Sequence, residues 1–240
     1  MEFDSIELLA DNRTNINRKC ILLKATYNKS IVVVKASKSI LVLEKEFKHL
    51  LLLQDCQFIP QLLTRELQEG LLKIQSKLNT YFYFTMTPFG QVLNQSHSSS
   101  IILYLSQIYQ AIQFAHSKKI YHRDIKPKNI IIYRNSALLI DWGFSVSFKI
   151  ETKFNFAMTE KFAASKYLKS LFRDDKVFEY MPTYDFESLL YTLCDILEPT
   201  TTLKITNVNK FISERSMVAT KYQQQWRLIK RRASYGLLSP

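Results

Sequence analysis

Four side chains between His122 and Gly143 are of the types that hold phosphates and metal ions. The run reads His122-Arg123-Asp124-Ile125-Lys126-Pro127-Lys128-Asn129, then Ile130-Ile131-Ile132-Tyr133, Arg134-Asn135-Ser136, Ala137-Leu138-Leu139-Ile140 and Asp141-Trp142-Gly143. The carboxylates of Asp124 and Asp141 and the amide oxygen of Asn129 are hard donors suited to Mg2+. Lys126 adds a compact positive charge able to meet phosphate oxygens. Two short apolar stretches joined by a polar break predict a β-hairpin. A hairpin carries its two ends to one place, so these groups are expected to cluster.

The elements that must position them are written on either side. In residues 1–35 the runs Ile6 to Ala10, Cys20 to Ala25 and Ile31 to Val34 are separated by Asn and Asp clusters and predict strands. The third ends in Lys35. Leu43, Phe47, Leu50 and Leu51 recur near helical spacing, which predicts a helix over 39–53 with Ser39 as its cap. Residues 57–90 predict further strands, with Ile59-Pro60-Gln61-Leu62 and Tyr81-Phe82-Tyr83-Phe84 bracketing a turn at Gly70. Ile101, Leu105, Ile108, Tyr109, Ile112, Phe114 and Ala115 form the apolar stripe of a long helix, capped by a serine of Ser98-Ser99-Ser100. That helix leads through His116, read as a packed histidine, into the His122 run. Pro182-Thr183-Tyr184-Asp185-Phe186-Glu187 reads as a helix start with an acidic first turn. The tail 201–240 holds two more helical segments and the basic cluster Lys230-Arg231-Arg232.

The His122 run resembles the catalytic loop of eukaryotic protein kinases, H-R-D-x-K-x-x-N, and Asp141-Trp142-Gly143 resembles their metal-binding D-F-G. The resemblance implies an α+β, two-lobed protein-kinase-like fold: a small β-rich N-lobe over 1–86 and a mainly helical, shortened C-lobe over 87–240. It implies ATP and Mg2+ as reagents. Asp124 would then take the proton of a substrate hydroxyl, with Lys126 near the γ-phosphate and Asn129 and Asp141 on the metal. Lys35, ending Ile31-Val32-Val33-Val34, matches the lysine that orients the α- and β-phosphates. Glu46, followed by Leu50 and Leu53 in the pattern E-x-x-x-L-x-x-L, is its candidate partner, with Glu44 the alternative. Met86 falls where the family controls access behind the nucleotide. Thr87-Pro88-Phe89-Gly90 falls at the hinge facing the adenine, which makes Met86, Thr87 and Phe89 candidate nucleotide-binding positions. His122 matches a histidine that braces the loop, and Asp185 an aspartate that supports its backbone. The stretch from Gly143 to about Leu168 matches the activation segment. Thr152, Thr159 and Ser165 are candidate phosphoacceptors there, and Arg123 is a candidate partner for such a phosphate.

Three features depart from the family pattern. Asp11 to Lys19 contains no glycine where kinases carry a glycine-rich turn over the phosphates. Trp142 stands for Phe. Thr159-Glu160-Lys161-Phe162-Ala163-Ala164-Ser165-Lys166-Tyr167-Leu168 lacks A-P-E, which bears on the substrate platform more than on the chemistry. The hinge, Asp141-Trp142-Gly143, the Asp185-Phe186-Glu187-Ser188 helix start and the Trp226…Tyr235 tail together look similar to the divergent kinase domains of Crinkler-type effectors and fungal FunK1-like kinases. Ser/Thr protein kinase activity is the first reading, since Lys126 is usual in Ser/Thr-specific members. A pseudokinase acting as a binding or scaffolding module is the second, suggested by the glycine-free loop. A small-molecule kinase of the aminoglycoside phosphotransferase type also uses H-x-D-x-x-x-x-N and I-D-W. Such enzymes usually lack the equivalents of Lys126 and Gly143.

Composition sets outer limits. A chain of 240 residues, 47% hydrophobic, can bury a core as one domain or two small lobes. The net charge of +12 suits polyanions, nucleic acid among them, and equally a solvated lysine-rich face. No apolar run approaches the ~20 residues of a membrane helix. Met1-Glu2-Phe3-Asp4 is acidic and unlike a signal peptide. Cys20, Cys56 and Cys194 are odd in number and scattered, which predicts reduced thiols and an intracellular location, cytoplasm or nucleus. Nothing in the sequence indicates an oligomeric state.

Overall fold

The computed structural model describes residues 3–11, 20–74, 77–147, 159–173, 179–199 and 205–236. The chain forms two compact units, one of residues 1–90 with 141–143, the other of 91–140 with 144–240.

The first unit is a sheet and one helix. Its strands are β1 (Ser5–Asp11), β2 (Cys20–Tyr27), β3 (Ser30–Ser37), β4 (Gln61–Leu62), β5 (Gln68–Ile74) and β6 (Lys77–Thr87), and its helix is α1 (Ile40–Leu52). The antiparallel order is β1-β2-β3-β6-β4, with β5 also paired to β6. β2 and β3 are joined by Asn28 and Lys29, both at positive φ (49° and 62°), the geometry of a type I′ hairpin turn. Strand side chains alternate between faces. Val32, Val34 and Ala36 therefore enter one core with Ile21, Leu23, Ala25, Tyr81 and Tyr83. Lys35, one residue out of step, points to the other face.

α1 packs beside β3 and β6, with the Phe47 and Phe84 rings 5.6 Å apart. Phe84 is the ladder partner of Lys35. Leu43, Phe47 and Leu50 are buried at i, i+4, i+7, each contributing roughly 1.5–3 kcal/mol. Glu46 shares that stripe. Glu44 does not, and it pairs with Lys48 at 2.7 Å on the outside.

Two local expectations need correction. Gly70 is not in a turn but inside β5, opposite Tyr81, where an added Cβ would meet the Tyr83 ring at 3.4 Å. The serines do not cap their helices. Ser39 makes no side-chain cap bond, and before the long helix Asn94 accepts from Ser96 N and forms a reciprocal box with His97. A 3-10 turn over Gln95–Ser100 then runs into the helix.

His49, on α1, is a titratable group inside this unit. Burial, with the Lys45 charge adding to it, pushes its imidazole down to about 4. The unfolded chain would protonate it near pH 6.5 while the folded chain resists. Stability is therefore full above pH 6.5 and falls as pH drops towards 4. Thermal melts between pH 7 and 4 are expected to show this slope in the wild type and a much flatter one in His49→Gln.

The second unit is mainly helical. It contains β7 (Gln91–Val92), α2 (Ile101–Ser117), β8 (Ile120–Tyr121), β9 (Ile130–Tyr133), β10 (Ser136–Leu139), β11 (Val146–Ser147), α3 (Ser165–Phe172), α4 (Pro182–Leu197), α5 (Val208–Lys221) and α6 (Gln223–Gly236). The expected hairpin is β9–β10, turned by Arg134 and Asn135 at positive φ (46° and 65°), with β7 on its outer edge. α2 packs against α4, α6 and β10. Beneath α3, a cluster of Tyr121, Val146, Ala163, Ala164, Tyr167, Leu168, Tyr180 and Tyr184 holds the segment that follows Thr159. A β-rich first unit and a helical second unit make up the two-lobed α+β layout that the motif implied. No described helix is long and apolar enough to cross a membrane. Cys20, Cys56 and Cys194 are buried and none is in a disulfide.

Candidate active site

In the first unit Lys35 lies between two carboxylates. Its Nζ donates to Glu46 Oε2 at 2.6 Å and to Asp141 Oδ1 at 3.0 Å. Lys35 is 6% exposed and Glu46 3%. Burial alone would lower the lysine's pKa; Asp141 first and Glu46 next outweigh it and carry it above the ordinary range, so the cation persists. Asp141 stands at φ 62°, a left-handed conformation that costs a non-glycine residue of order 1–2 kcal/mol. Gly143 leaves room for the pair: a Cβ there would lie 3.1 Å from Glu46 Oε2. Trp142 is fully buried.

Of the expected nucleotide-binding positions, Met86 is buried near the end of β6, paired with Val33 and Leu62. Thr87 pairs with Gln61 and precedes a cis peptide to Pro88. Phe89 lies under Lys24, whose Nζ is 5.6 Å from the ring centre. The glycine-free loop falls almost wholly on residues 12–19, outside the described residues.

In the second unit the groups close around Asp124. Oδ2 accepts from Lys126 Nζ at 2.7 Å and Asn129 Nδ2 at 3.1 Å. Oδ1 accepts from Thr159 N at 3.1 Å and Thr159 Oγ1 at 2.8 Å. Lys126 Nζ also donates to Thr159 Oγ1 at 2.7 Å, which ties the segment that starts at Thr159 to the loop. Asn129 spends its NH2 on Asp124, its second bond going to the main-chain oxygen at 2.7 Å, so its carbonyl oxygen is the side suited to a cation.

His122 and Asp185 hold the backbone of this loop. The Asp124 N–H points at His122 Nδ1 (3.3 Å), so Nε2 is the nitrogen that donates to Ile140 O, at 3.0 Å. Asp185 accepts from the main-chain N–H of His122 and of Arg123, both at 2.9 Å, and from Tyr180 OH at 2.9 Å; His116 Nε2 lies 2.9 Å away. Arg123 needs such support, since its φ is 74°.

Sequence reasoning missed the anchor that stands where A-P-E is lacking. Glu187 Oε1, on α4, accepts from Ser165 N (2.9 Å), Ser165 Oγ (2.6 Å) and Tyr191 OH (2.8 Å). From α5, Arg215 Nη1 donates to Lys161 O and Ala163 O at 3.1 and 2.8 Å, and its guanidinium lies 3.7 Å from the Tyr191 ring centre. Ser165, expected as a phosphoacceptor, is thus engaged at a helix start. Thr152 lies outside the described residues.

The family description "Protein kinase domain" matches residues 21–234. The chain belongs to the protein kinase domain family, whose reagents are ATP and a divalent metal. It is similar to serine/threonine-protein kinase PKH3 of Saccharomyces cerevisiae, 27% identical over 131 residues, half of this chain and 14% of that protein. It is also similar to Aurora kinase A-B of Xenopus laevis, 34% identical over 76 residues (31% of this chain, 19% of that protein). A third relative is Aurora kinase B of Danio rerio, 43% identical over 44 residues (18% and 14%). The matched stretches span less than a fifth of the length of these relatives.

Proposed function

We propose that this chain is an active Ser/Thr protein kinase that transfers the γ-phosphoryl group of ATP to protein hydroxyls. The observation that carries the reading is the buried Lys35 bridging Glu46 and Asp141, since phosphoryl transfer in this family requires both the lysine–glutamate pair and the metal-binding aspartate in place. Among the described residues no cluster of three His, Cys, Asp or Glu side chains could hold a metal alone. Asp141 and Asn129 each offer a hard oxygen, and Mg2+ is commonly content with one or two such ligands plus phosphate and water. Bound magnesium triphosphate would supply the electrophilic phosphorus.

Lys35 orients the α- and β-phosphates. Asp124 takes the hydroxyl proton as the new phosphorus–oxygen bond forms, and Lys126 offsets charge on the transferred group. The similarity to serine/threonine-protein kinase PKH3 and the Lys126–Thr159 bond support a Ser/Thr acceptor. The same reading puts the chain inside a cell, where ATP is available and thiols stay reduced. The basic face of α6, with Arg227, Lys230, Arg231 and Arg232 all exposed, supports binding to acidic partners, nucleic acid included. Such binding would weaken steeply with added salt.

Labelled ATP and Mg2+ with casein as acceptor test the enzyme reading. Asp124→Ala is expected to lower transfer by about 10²–10⁴-fold, and Asp141→Asn to lower it comparably. Equal label in wild type and both variants would remove the enzyme and leave the scaffolding module suggested by the glycine-free loop. ATP that binds without transfer would point the same way.

A further inference from the structure

The arginine of the catalytic loop already has its counter-group within the fold. Arg123 is 5% exposed. Its Nη2 donates to Tyr167 OH at 2.8 Å. Its guanidinium carbon lies 5.9 Å from the Tyr167 ring centre and 5.8 Å from that of Tyr180, within cation–π range. The two rings stand perpendicular, 5.3 Å apart, and form two walls of a cage. Tyr180 OH in turn donates to Asp185 Oδ1, the atom that accepts the Arg123 main-chain N–H. Burial, with the Asp185 charge adding to it, carries the Tyr180 phenol well above its ordinary range, so it remains a donor. The cage therefore grips Arg123 at both backbone and side chain.

The sequence suggested a different use for this arginine, as the receptor of a phosphate on the activation segment. Among the described residues Tyr167 and Tyr180 pack against the guanidinium, so a phosphate dianion would compete with Tyr167 and enter beside two phenol rings. That entry carries the desolvation cost of a buried charge. Tyr167 already performs the link such a phosphate would make. It sits on α3, in the core with Ala163 and Ala164 of the activation segment, and its hydroxyl reaches back to the residue before Asp124.

We propose that Tyr167 is a positioning residue that holds Arg123, and through it Asp124, so that the activation segment needs no phosphate for transfer. The proposal rests on the kinase reading, and it concerns the regulation of the same site. The full chain is treated with a broad phosphatase, checked by mass spectrometry to carry no phosphate, and mixed with casein, Mg2+ and labelled ATP. The initial rate is expected to stay within about twofold of the untreated protein, with no lag. A tenfold lower rate, or a lag abolished by preincubation with ATP, overturns the proposal.

In parallel, Tyr167→Phe is expected to lower kcat about tenfold and leave the KM for ATP within twofold. Its amide hydrogen exchange is expected to quicken about tenfold over residues 122–129 and to be unchanged over 20–37. Wild-type kcat together with wild-type exchange in that variant overturns the proposal. If the wild type labels neither casein nor itself, the kinase reading fails on its own. The exchange comparison then decides whether Tyr167 braces the loop, and unchanged exchange refutes that too.

Discussion

Lys35→Met is expected to destabilise the protein by about 3–5 kcal/mol and to abolish measurable transfer. Methionine fills similar space but removes the cation that Glu46 and Asp141 share, Glu46 being almost wholly buried. Breaking a buried pair by removing one partner costs more than the pair is worth, because the survivor stays desolvated and charged. One carboxyl escapes by taking up a proton, so its pKa must rise. For a chain of this size the loss corresponds to a fall in Tm of roughly 6–20 °C.

Two effects are mixed in that variant, and a second change separates them. Lys35→Met combined with Glu46→Gln removes the stranded charge and should regain much of the lost Tm. Transfer should stay at least ~100-fold down, as for loss of a preorganised electrostatic group. A double variant no more stable than the single would mean that Glu46 is not the residue Lys35 neutralises. Recovery of transfer in the double would mean that Lys35 does not orient phosphates.

Which parts of this arrangement were legible in the sequence follows from the range of the interactions. The β9–β10 hairpin was readable because its cause is local: two apolar runs and a two-residue polar turn. The choice between Glu46 and Glu44 was nearly readable, since Glu46 lies three residues after Leu43 and four before Leu50, while Glu44 is next to Leu43 and six from Leu50; the deciding fact is that α1 covers the Lys35 face of β3. Gly70 was misread because glycine commonly marks turns, whereas here it makes room for a tyrosine ring on the neighbouring strand. Asn94 was passed over as a cap because a 3-10 turn separates it from the apolar stripe of α2. The Glu187–Ser165–Arg215 anchor had no local signal. Arg215 lies about 50 residues beyond the carbonyls it holds, and only the folded chain shows that it reaches them. Thr159 was noticed as a phosphoacceptor, and its contact with Asp124 and Lys126 likewise required the tertiary fold.

Asp185→Asn carries the second large expectation: a fall in kcat of about 100-fold at nearly constant KM for ATP, and a changed response to acid. Asp185 is 1% exposed. Its two oxygens face two main-chain N–H groups, one phenol and one imidazole nitrogen. Asparagine keeps the shape but turns one oxygen into an NH2, which must then confront donors. Alanine would strand them all, at about 1–3 kcal/mol for each orphaned group, a large part of a stability of ~5–15 kcal/mol; asparagine is therefore the usable probe. The first casualty should be the left-handed Arg123, whose strained φ persists only while its N–H is held. Relaxation there swings Asp124 out of line. On the proposed reading ATP is held through Lys35, so its affinity is expected to change little.

Burial by itself raises the Asp185 carboxyl, but the hydrogen bond from His116 and the Arg123 N–H bring it below the usual carboxylate value. A depressed carboxyl stabilises the fold above the unfolded value near 3.9 and loses that contribution as pH falls further. The gap in unfolding free energy between wild type and Asp185→Asn should be constant from pH 7 to about 4, because the His49 slope is common to both, and should narrow below pH 4. Denaturant titrations at pH 7, 5 and 3.5 measure it. A gap that narrows between pH 7 and 5, or one that is absent at pH 7, would show that the carboxylate is not the support of this loop.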